Sequence, residues 1–401
     1  MAKAKVVKQA QPADAIDVFL AQLNKDMKGV GRVDRGRDIS WLDPERMRTG
    51  ILGLDVVSRG GLPRGGLVQF WGPFSCGKTT TALHCMAAEQ KVGEDTLFAA
   101  AEGFNKDWAR KNGLWIPYAE EEREGQTADA LAQMDAYDAY GVQEGYGTVA
   151  VIQHVHGDGL LEAVARAVKT NLFSIVVVDS LAVLRNTRQI EEAQIGDEDM
   201  GGGGQINMFN RFIGRCFSAL NTKYNANNEI DMYGEFSNQT CVLCLNQARQ
   251  KLAGGGKRPG QVLYQPPGGE GLKHCWHLSV EFRKGEELGE KEGLDGRNNW
   301  TPWGVEIRIR SNKSKIGPSG RSAAWELYTE DHEAFSAGAV DVAKEIRVWG
   351  VYYDIIHVQG AWYSLPDGQR VNGKDEVDRA LANEPELRQN IADAVIEACK
   401  R

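Results

Sequence analysis

Residues Gly72-Pro73-Phe74-Ser75-Cys76-Gly77-Lys78-Thr79 carry the spacing G-x-x-x-x-G-K-T. They lie between an apolar run, Leu67-Val68-Gln69-Phe70-Trp71, and the segment Thr80-Thr81-Ala82-Leu83. Strand, glycine loop and helix in that order cradle the phosphates of a nucleoside triphosphate. Loop N–H groups and the positive end of the following helix hold phosphate oxygens. Lys78 reaches those oxygens, and the Thr79 hydroxyl sits on Mg²⁺. Hydrolysis needs two further acids, one at a strand end for Mg²⁺ and one to activate water. The run Ser174-Ile175-Val176-Val177-Val178 ends in Asp179, and Phe98-Ala99-Ala100-Ala101 ends in Glu102. Carboxyl ends of parallel strands gather ligands, so Lys78, Glu102, Asp179 and the tip Asn246-Gln247 can converge. By position alone, Glu102 is equally an acid favoured by a helix N-terminus.

The elements that must position these groups are apolar runs at 67–71, 96–101, 148–153, 175–179 and 240–246. Several are continuous and not alternating, as in a parallel sheet covered on both faces. Helical patterns at 79–90 and 159–170 fall between them, so the core is an α/β domain. Residues 13–28 place Ala15, Ile16, Phe19, Leu20 and Leu23 on one helix face. Three stretches, 194–205, 250–271 and 285–299, are glycine-rich or charged and read as long loops, which in a compact domain are functional or disordered. From about residue 325 the pattern changes to short helices and a small hairpin at 360–370.

The chain has 401 residues, 42% hydrophobic and 25% charged. That size favours one large domain with small appendages. No apolar stretch reaches membrane-spanning length, and Met1-Ala2-Lys3-Ala4-Lys5 lacks a signal-peptide core, so a cytoplasmic protein without membrane contact is expected. Cys241-Val242-Leu243-Cys244 with His274-Cys275-Trp276-His277 has the residue types of a zinc site. In a strand, however, positions three apart face opposite ways, which favours core packing. The net charge of −8 excludes a chain-wide nucleic-acid footprint. Locally the balance reverses: 249–273 holds Arg249, Lys251, Lys257, Arg258 and Lys273 against Glu270, and 305–321 holds Arg308, Arg310, Lys313, Lys315 and Arg321 against Glu306. Phosphate binding needs basic charge only at the site.

Over residues 10–401 the chain resembles RecA-type homologous recombinases. The match runs in order through Thr49-Gly50, Leu54-Asp55, Gly60-Gly61-Leu62-Pro63-Arg64-Gly65, the phosphate loop, Phe98 to Glu102, and Ala109-Arg110-Lys111. It continues through Val177-Val178-Asp179-Ser180-Leu181-Ala182, Ile195-Gly196-Asp197, Met200-Gly201, Asn246-Gln247-Ala248-Arg249, Gly268-Gly269, Leu272-Lys273 and Gly360-Ala361-Trp362-Tyr363-Ser364. The resemblance implies an α/β fold with a RecA-like P-loop NTPase core at 46–324, an N-terminal polymerisation helix within 1–45 and a small α+β domain at 325–401. It implies a DNA-dependent ATPase, using ATP and Mg²⁺, that forms helical filaments on single-stranded DNA and pairs it with homologous duplex DNA. By that match Glu102 activates water, Gln247 senses the γ-phosphate, Trp108 lies against adenine, and Lys313 reaches a neighbouring subunit's ATP. Nucleotide contacts fall to Gly72 through Thr80, with Thr79 and Asp179 on Mg²⁺. The first DNA loop is 194–205, with Met200 as an apolar wedge. The second is 250–271, with Arg249 and Lys251 placed for phosphate, Leu252 as the other wedge, and Gly268 and Gly269 letting backbone approach the strand.

Departures accompany the match. Phe74 replaces an acid and Cys76 a serine in the phosphate loop. Gln205 stands for the first-loop arginine, which shifts that DNA contact to Arg211. Ser311 replaces one of two trans-acting lysines, and His274 replaces an inserting aromatic. The family's acidic tail has no counterpart before Cys399-Lys400-Arg401, and 222–239 is an insertion. These differences point to a distant, phage-borne relative. The competing expectation is a RecA-fold ATPase regulator or motor that acts on a protein partner without strand exchange.

Overall fold

The computed structural model describes residues 12–26, 45–185, 201–231, 236–251, 263–267, 269–294 and 297–400. Helix α1 (Pro12–Asp26) precedes the short α2 (Leu52–Val57), then β1 (Leu67–Gly72), α3 (Lys78–Gln90), β2 (Thr96–Ala100), α4 (Lys106–Lys111) and α5 (Ala128–Gln143). There follow β3 (Val149–Gln153), α6 (Gly157–Thr170), β4 (Ile175–Asp179), α7 (Gly201–Leu220), β5 (Cys241–Gln247) and α8 (Gly269–Cys275). The core closes with β6 (Leu278–Leu294), β7 (Arg297–Ser314) and β8 (Ser322–Tyr328).

These strands form one eight-stranded sheet in the order β8-β7-β6-β1-β5-β4-β2-β3. From β6 to β3 all neighbours are parallel, and β7 and β8 add antiparallel pairs at one edge. The continuous apolar runs follow from this: β1, β2 and β4 are buried along their whole length. One face packs against Ala82, Leu83, Cys85 and Met86 of α3, the other against Leu160 and Val164 of α6 and Phe209 and Phe212 of α7. Cys241 joins the first cluster and Cys244 the second, so the two thiols point away from each other across the sheet. Burial pushes the Cys241 and Cys244 thiols up from their ordinary range.

Three regions differ from the sequence reading. The loop expected at 285–299 is instead the outer part of a β-ribbon: β6 and β7 pair from Leu278 opposite Ser314 to Leu294 opposite Arg297, with three register shifts on the way. The strand β8 crosses the boundary expected at 325 and pairs with β7, so the small domain begins after it. Between α4 and β3 lies a helical segment including α5 that the apolar pattern did not reveal. It is tied down by Arg110 Nη1 to Glu122 Oε1 at 2.8 Å and Arg123 Nη1 to Asp135 Oδ1 at 2.6 Å.

The C-terminal unit contains α9 (Val342–Tyr352), the three-stranded sheet β9 (His357–Gln359), β10 (Trp362–Ser364) and β11 (Arg370–Asn372), then α10 (Lys374–Asn383) and α11 (Pro385–Lys400). Its core, with Ile346, Val377, Leu381, Ile391 and Val395, takes in Leu52 and Val56 of α2. Helix α2 is therefore shared, and its ends are closed from outside. Buried Glu345 of α9 accepts the N–H groups of Leu52 at 3.2 Å and Gly53 at 2.8 Å, while Arg321 Nη1 donates to Val56 O at 3.1 Å. These are the orphan groups every helix end must satisfy. By contrast α1 leaves Ile16, Val18 and Phe19 exposed.

Candidate functional site

The site is built at the carboxyl ends of β1, β2, β4 and β5. At the end of β1, Gly72 lies so close to the neighbouring ribbon that an added Cβ would sit 2.2 Å from Phe282 O. The loop then turns through Ser75 and Gly77, both at positive φ, and α3 begins at Lys78 without a side-chain cap. A helix start of that kind presents unpaired N–H groups to an anion. Lys78 is buried, its Nζ donating to Pro73 O at 2.6 Å and Gly72 O at 3.3 Å. Its ammonium is thus held over the loop by carbonyl oxygens. Cys76 is enclosed and donates to Pro73 O at 3.0 Å, whereas Phe74 is 73% exposed. The two substituted side chains therefore do different things: one packs inside the loop, the other projects from it. Thr80 is buried on the first turn of α3.

Thr79 Oγ1 donates to Asp179 Oδ2 at 2.8 Å. Burial pushes the Asp179 carboxyl up to about 6; the Thr79 hydrogen bond opposes this, the Glu102 charge adds to it, and Lys78 opposes it. A hydroxyl and a carboxylate side by side are hard oxygen donors, the set that suits Mg²⁺. Glu102 is not in the first turn of α4, which starts at Lys106 and is capped by Asn105. Its carboxylate instead accepts from the Ser180 hydroxyl and, at 2.9 Å, from Gln247 Nε2. Beside it, Thr79, Leu83, Phe98, Glu102, Phe104 and Trp108 line a cleft of ≈ 370 Å³. Lys78, Glu102, Asp179 and Gln247 thus meet at one end of the sheet, with Trp108 on the cleft wall.

Other expected residues lie elsewhere. Lys313 pairs with Ser279, which lies opposite Gln69 near the start of β1, whereas the phosphate loop follows the end of that strand. Lys313 Nζ donates to Lys273 O, and burial lowers its pKa. Lys313 Nζ is therefore engaged by the Lys273 carbonyl, with no contact to the glycine loop among the hydrogen bonds of the described residues. Ser311 is buried and its Oγ donates to Arg321 O at 3.3 Å. Gln205 is also buried, its Nε2 donating to Leu184 O at 3.1 Å. Arg211 is exposed on α7 and His274 on the last turn of α8. Arg249–Lys251 forms an antiparallel pair with Leu263–Gln265, and Gly269 opens α8. Met200, Leu252 and Gly268 lie outside the described residues. Helix α7 already starts at Gly201, four residues before the expected end of the first loop. Ser180, which the sequence reading assigned no role, was hidden because its tie to Glu102 spans 78 positions.

Among the described residues no helix is long and apolar enough to cross a membrane. A family model of the RecA N-terminal domain matches residues 14–136, which contain most of α1, the glycine loop 72–79, Glu102 and Trp108. The RecA protein of Streptomyces ambofaciens is 27% identical over 96% of this chain and 85% of its own length. That of Synechocystis is 27% identical over 96% and 90%, and that of Kineococcus radiotolerans 28% over 96% and 93%. A crystal structure of the RadB recombinase aligns with a TM-score of 0.42 at 16% identity, over 70% of this chain and 96% of that one. With the motif order intact, the chain is similar to these RecA proteins across nearly its full length.

Proposed function

We propose that this chain is a DNA-dependent ATPase that assembles into helical filaments on single-stranded DNA and carries out homologous pairing and strand exchange. One observation carries the proposal. Gln247 bonds the carboxylate of Glu102 at 2.9 Å, and two positions later the chain enters the Arg249–Lys251 ribbon at the root of the second basic loop. The proposed hydrolytic acid and the proposed nucleic-acid segment are therefore one hydrogen bond and two residues apart.

In this reading the phosphate loop and Lys78 bind the triphosphate, Trp108 lies on the base, and Glu102 takes the proton of the attacking water. Thr79 and Asp179 hold Mg²⁺, which neutralises phosphate charge when bound. A γ-phosphate draws Gln247 toward itself and so biases the ribbon that follows. Basic side chains in and beside the two loops, Arg211 on α7 with Arg249 and Lys251, track the DNA backbone, with Met200 and Leu252 between bases and Gly268 and Gly269 letting the backbone approach. Because Lys313 lies at the far end of the strands, it acts on the ATP of an adjoining protomer, and the exposed apolar face of α1 packs on that neighbour's core. The chemistry is cytoplasmic, and sequence information comes from pairing between the two DNAs.

The test is ATP turnover with and without single-stranded DNA, joined to negative-stain imaging with DNA and a non-hydrolysable ATP analogue. DNA-stimulated turnover and nucleotide-dependent filaments are expected. Turnover indifferent to DNA, with no filaments, would instead mark a motor or regulator acting on a protein.

A further inference from the structure

Phosphate-loop chemistry makes no demand on Ser180, yet its side chain is almost fully enclosed, at 1% exposure. Its hydroxyl donates its proton to Glu102 Oε1. Gln247 Nε2 donates to that same oxygen. The backbone repeats the tie: Ala101 N and Glu102 N both donate to Asp179 O, at 2.7 and 3.3 Å. From the described residues, the second carboxylate oxygen of Glu102 receives no hydrogen bond. A glutamate left to itself spreads over many rotamers, and restricting it costs up to roughly 2 kcal/mol. Here that restriction is already met by the fold. Ser180 is held in turn, because it opens the short turn Leu181–Val183, and Gln205 bonds Leu184 O directly after it.

We propose that Ser180 is a positioning residue for ATP hydrolysis, fixing Glu102 through Oε1 so that Oε2 is the proton acceptor. The inference rests on the reading of Glu102 as the base. In the step it serves, an O–H bond of water breaks and its proton passes to Oε2. The water oxygen forms a bond to the terminal phosphorus as the bond from that phosphorus to its bridging oxygen breaks. ADP and inorganic phosphate result, and Oε2 later returns its proton to solvent. Ser180 changes no bond itself; it keeps the accepting oxygen in one place. Alanine leaves Oε1 to Gln247 alone, and Gln247 is the group that must move when nucleotide is sensed.

The experiment uses the full chain with single-stranded DNA and compares wild type, Ser180→Ala, Ser180→Thr, Glu102→Gln and the Glu102→Gln/Ser180→Ala double variant. Steady-state and single-turnover ATP hydrolysis are measured beside binding of a fluorescent ATP analogue. Ser180→Ala is expected to lower kcat about tenfold, the loss of one hydrogen bond to a charged group, with analogue affinity within about twofold. Ser180→Thr should recover most of the rate, and Ser180→Ala should add nothing in the Glu102→Gln background. Should the alanine variant unfold, Ser180→Cys keeps the volume with a weaker donor and takes its place. An unchanged kcat, or an equal further loss in the Glu102→Gln background, overturns the positioning role while leaving Glu102 as base. Normal turnover in Glu102→Gln overturns the reading beneath it.

Discussion

Replacing Glu345 by glutamine tests whether the joint between core and C-terminal unit contains a buried, protonated carboxyl. Burial is the largest influence on Glu345 and raises its pKa from 4.5 to about 8; the Gly53 and Leu52 N–H groups pull the other way, and Asp55 and Asp341 push with burial. Asp55 beneath α2 is itself pushed up to about 6 by burial. Between about pH 4.5 and 8 the folded chain keeps the Glu345 proton that the unfolded chain has released, so folding takes up a proton there. Stability must then fall as pH rises across that window and level off above it. The full interval amounts to on the order of 5 kcal/mol. Glutamine keeps a carbonyl for one of the two N–H groups but cannot ionise, so its contribution does not vary with pH. Thermal melts of wild type and Glu345→Gln from pH 5 to 8.5 should converge or cross. The variant should gain roughly 5 °C or more relative to wild type across the series. Parallel curves would refute the argument, because they would mean that the two backbone donors keep Glu345 ionised throughout.

Two further substitutions probe the site. Lys78→Ala should lose nucleotide affinity and DNA-stimulated turnover together, the latter by about 100-fold or more, in analogue-binding and ATPase assays; undiminished affinity would remove Lys78 from phosphate binding. Arg249→Ala should weaken single-stranded DNA binding uniformly across sequences and reduce the slope of log affinity against log salt by about 0.7, measured by anisotropy titration. A loss confined to particular sequences would contradict a backbone contact.

The phosphate loop, Glu102 and Asp179 were legible because their signal is local: spacing within eight residues, or an acid ending an apolar run. The six parallel strands of the sheet were mostly legible for the same reason, since burial on both faces demands unbroken apolar runs. The outer ribbon of β6 and β7 was not. Its residues 285–299 carry glycines and charges in place of the alternation that marks a half-buried strand. Helix α5 went unseen because Gly141 is its one buried position. Four consecutive glycines argued against a helix at Gly201, by propensity alone. Buried ties inside the helix at Gln205 and long-range ones at Glu345 and Ser180 join positions 21 to 293 apart, beyond the reach of any sequence window.

The ribbon of β6 and β7 has a mechanical consequence. Its pairs run on past Gly304, where the contact of β7 with β8 ends, from Gly289 to Leu294, about 20 Å of two-stranded arm. Its root presses on the phosphate loop twice, with Phe282 O against Gly72 and the Ile307 side chain against Gly77. The arm and the glycine loop therefore share a packed joint, so neither Gly72 nor Gly77 can shift toward the ribbon unless Phe282 or Ile307 shifts with it.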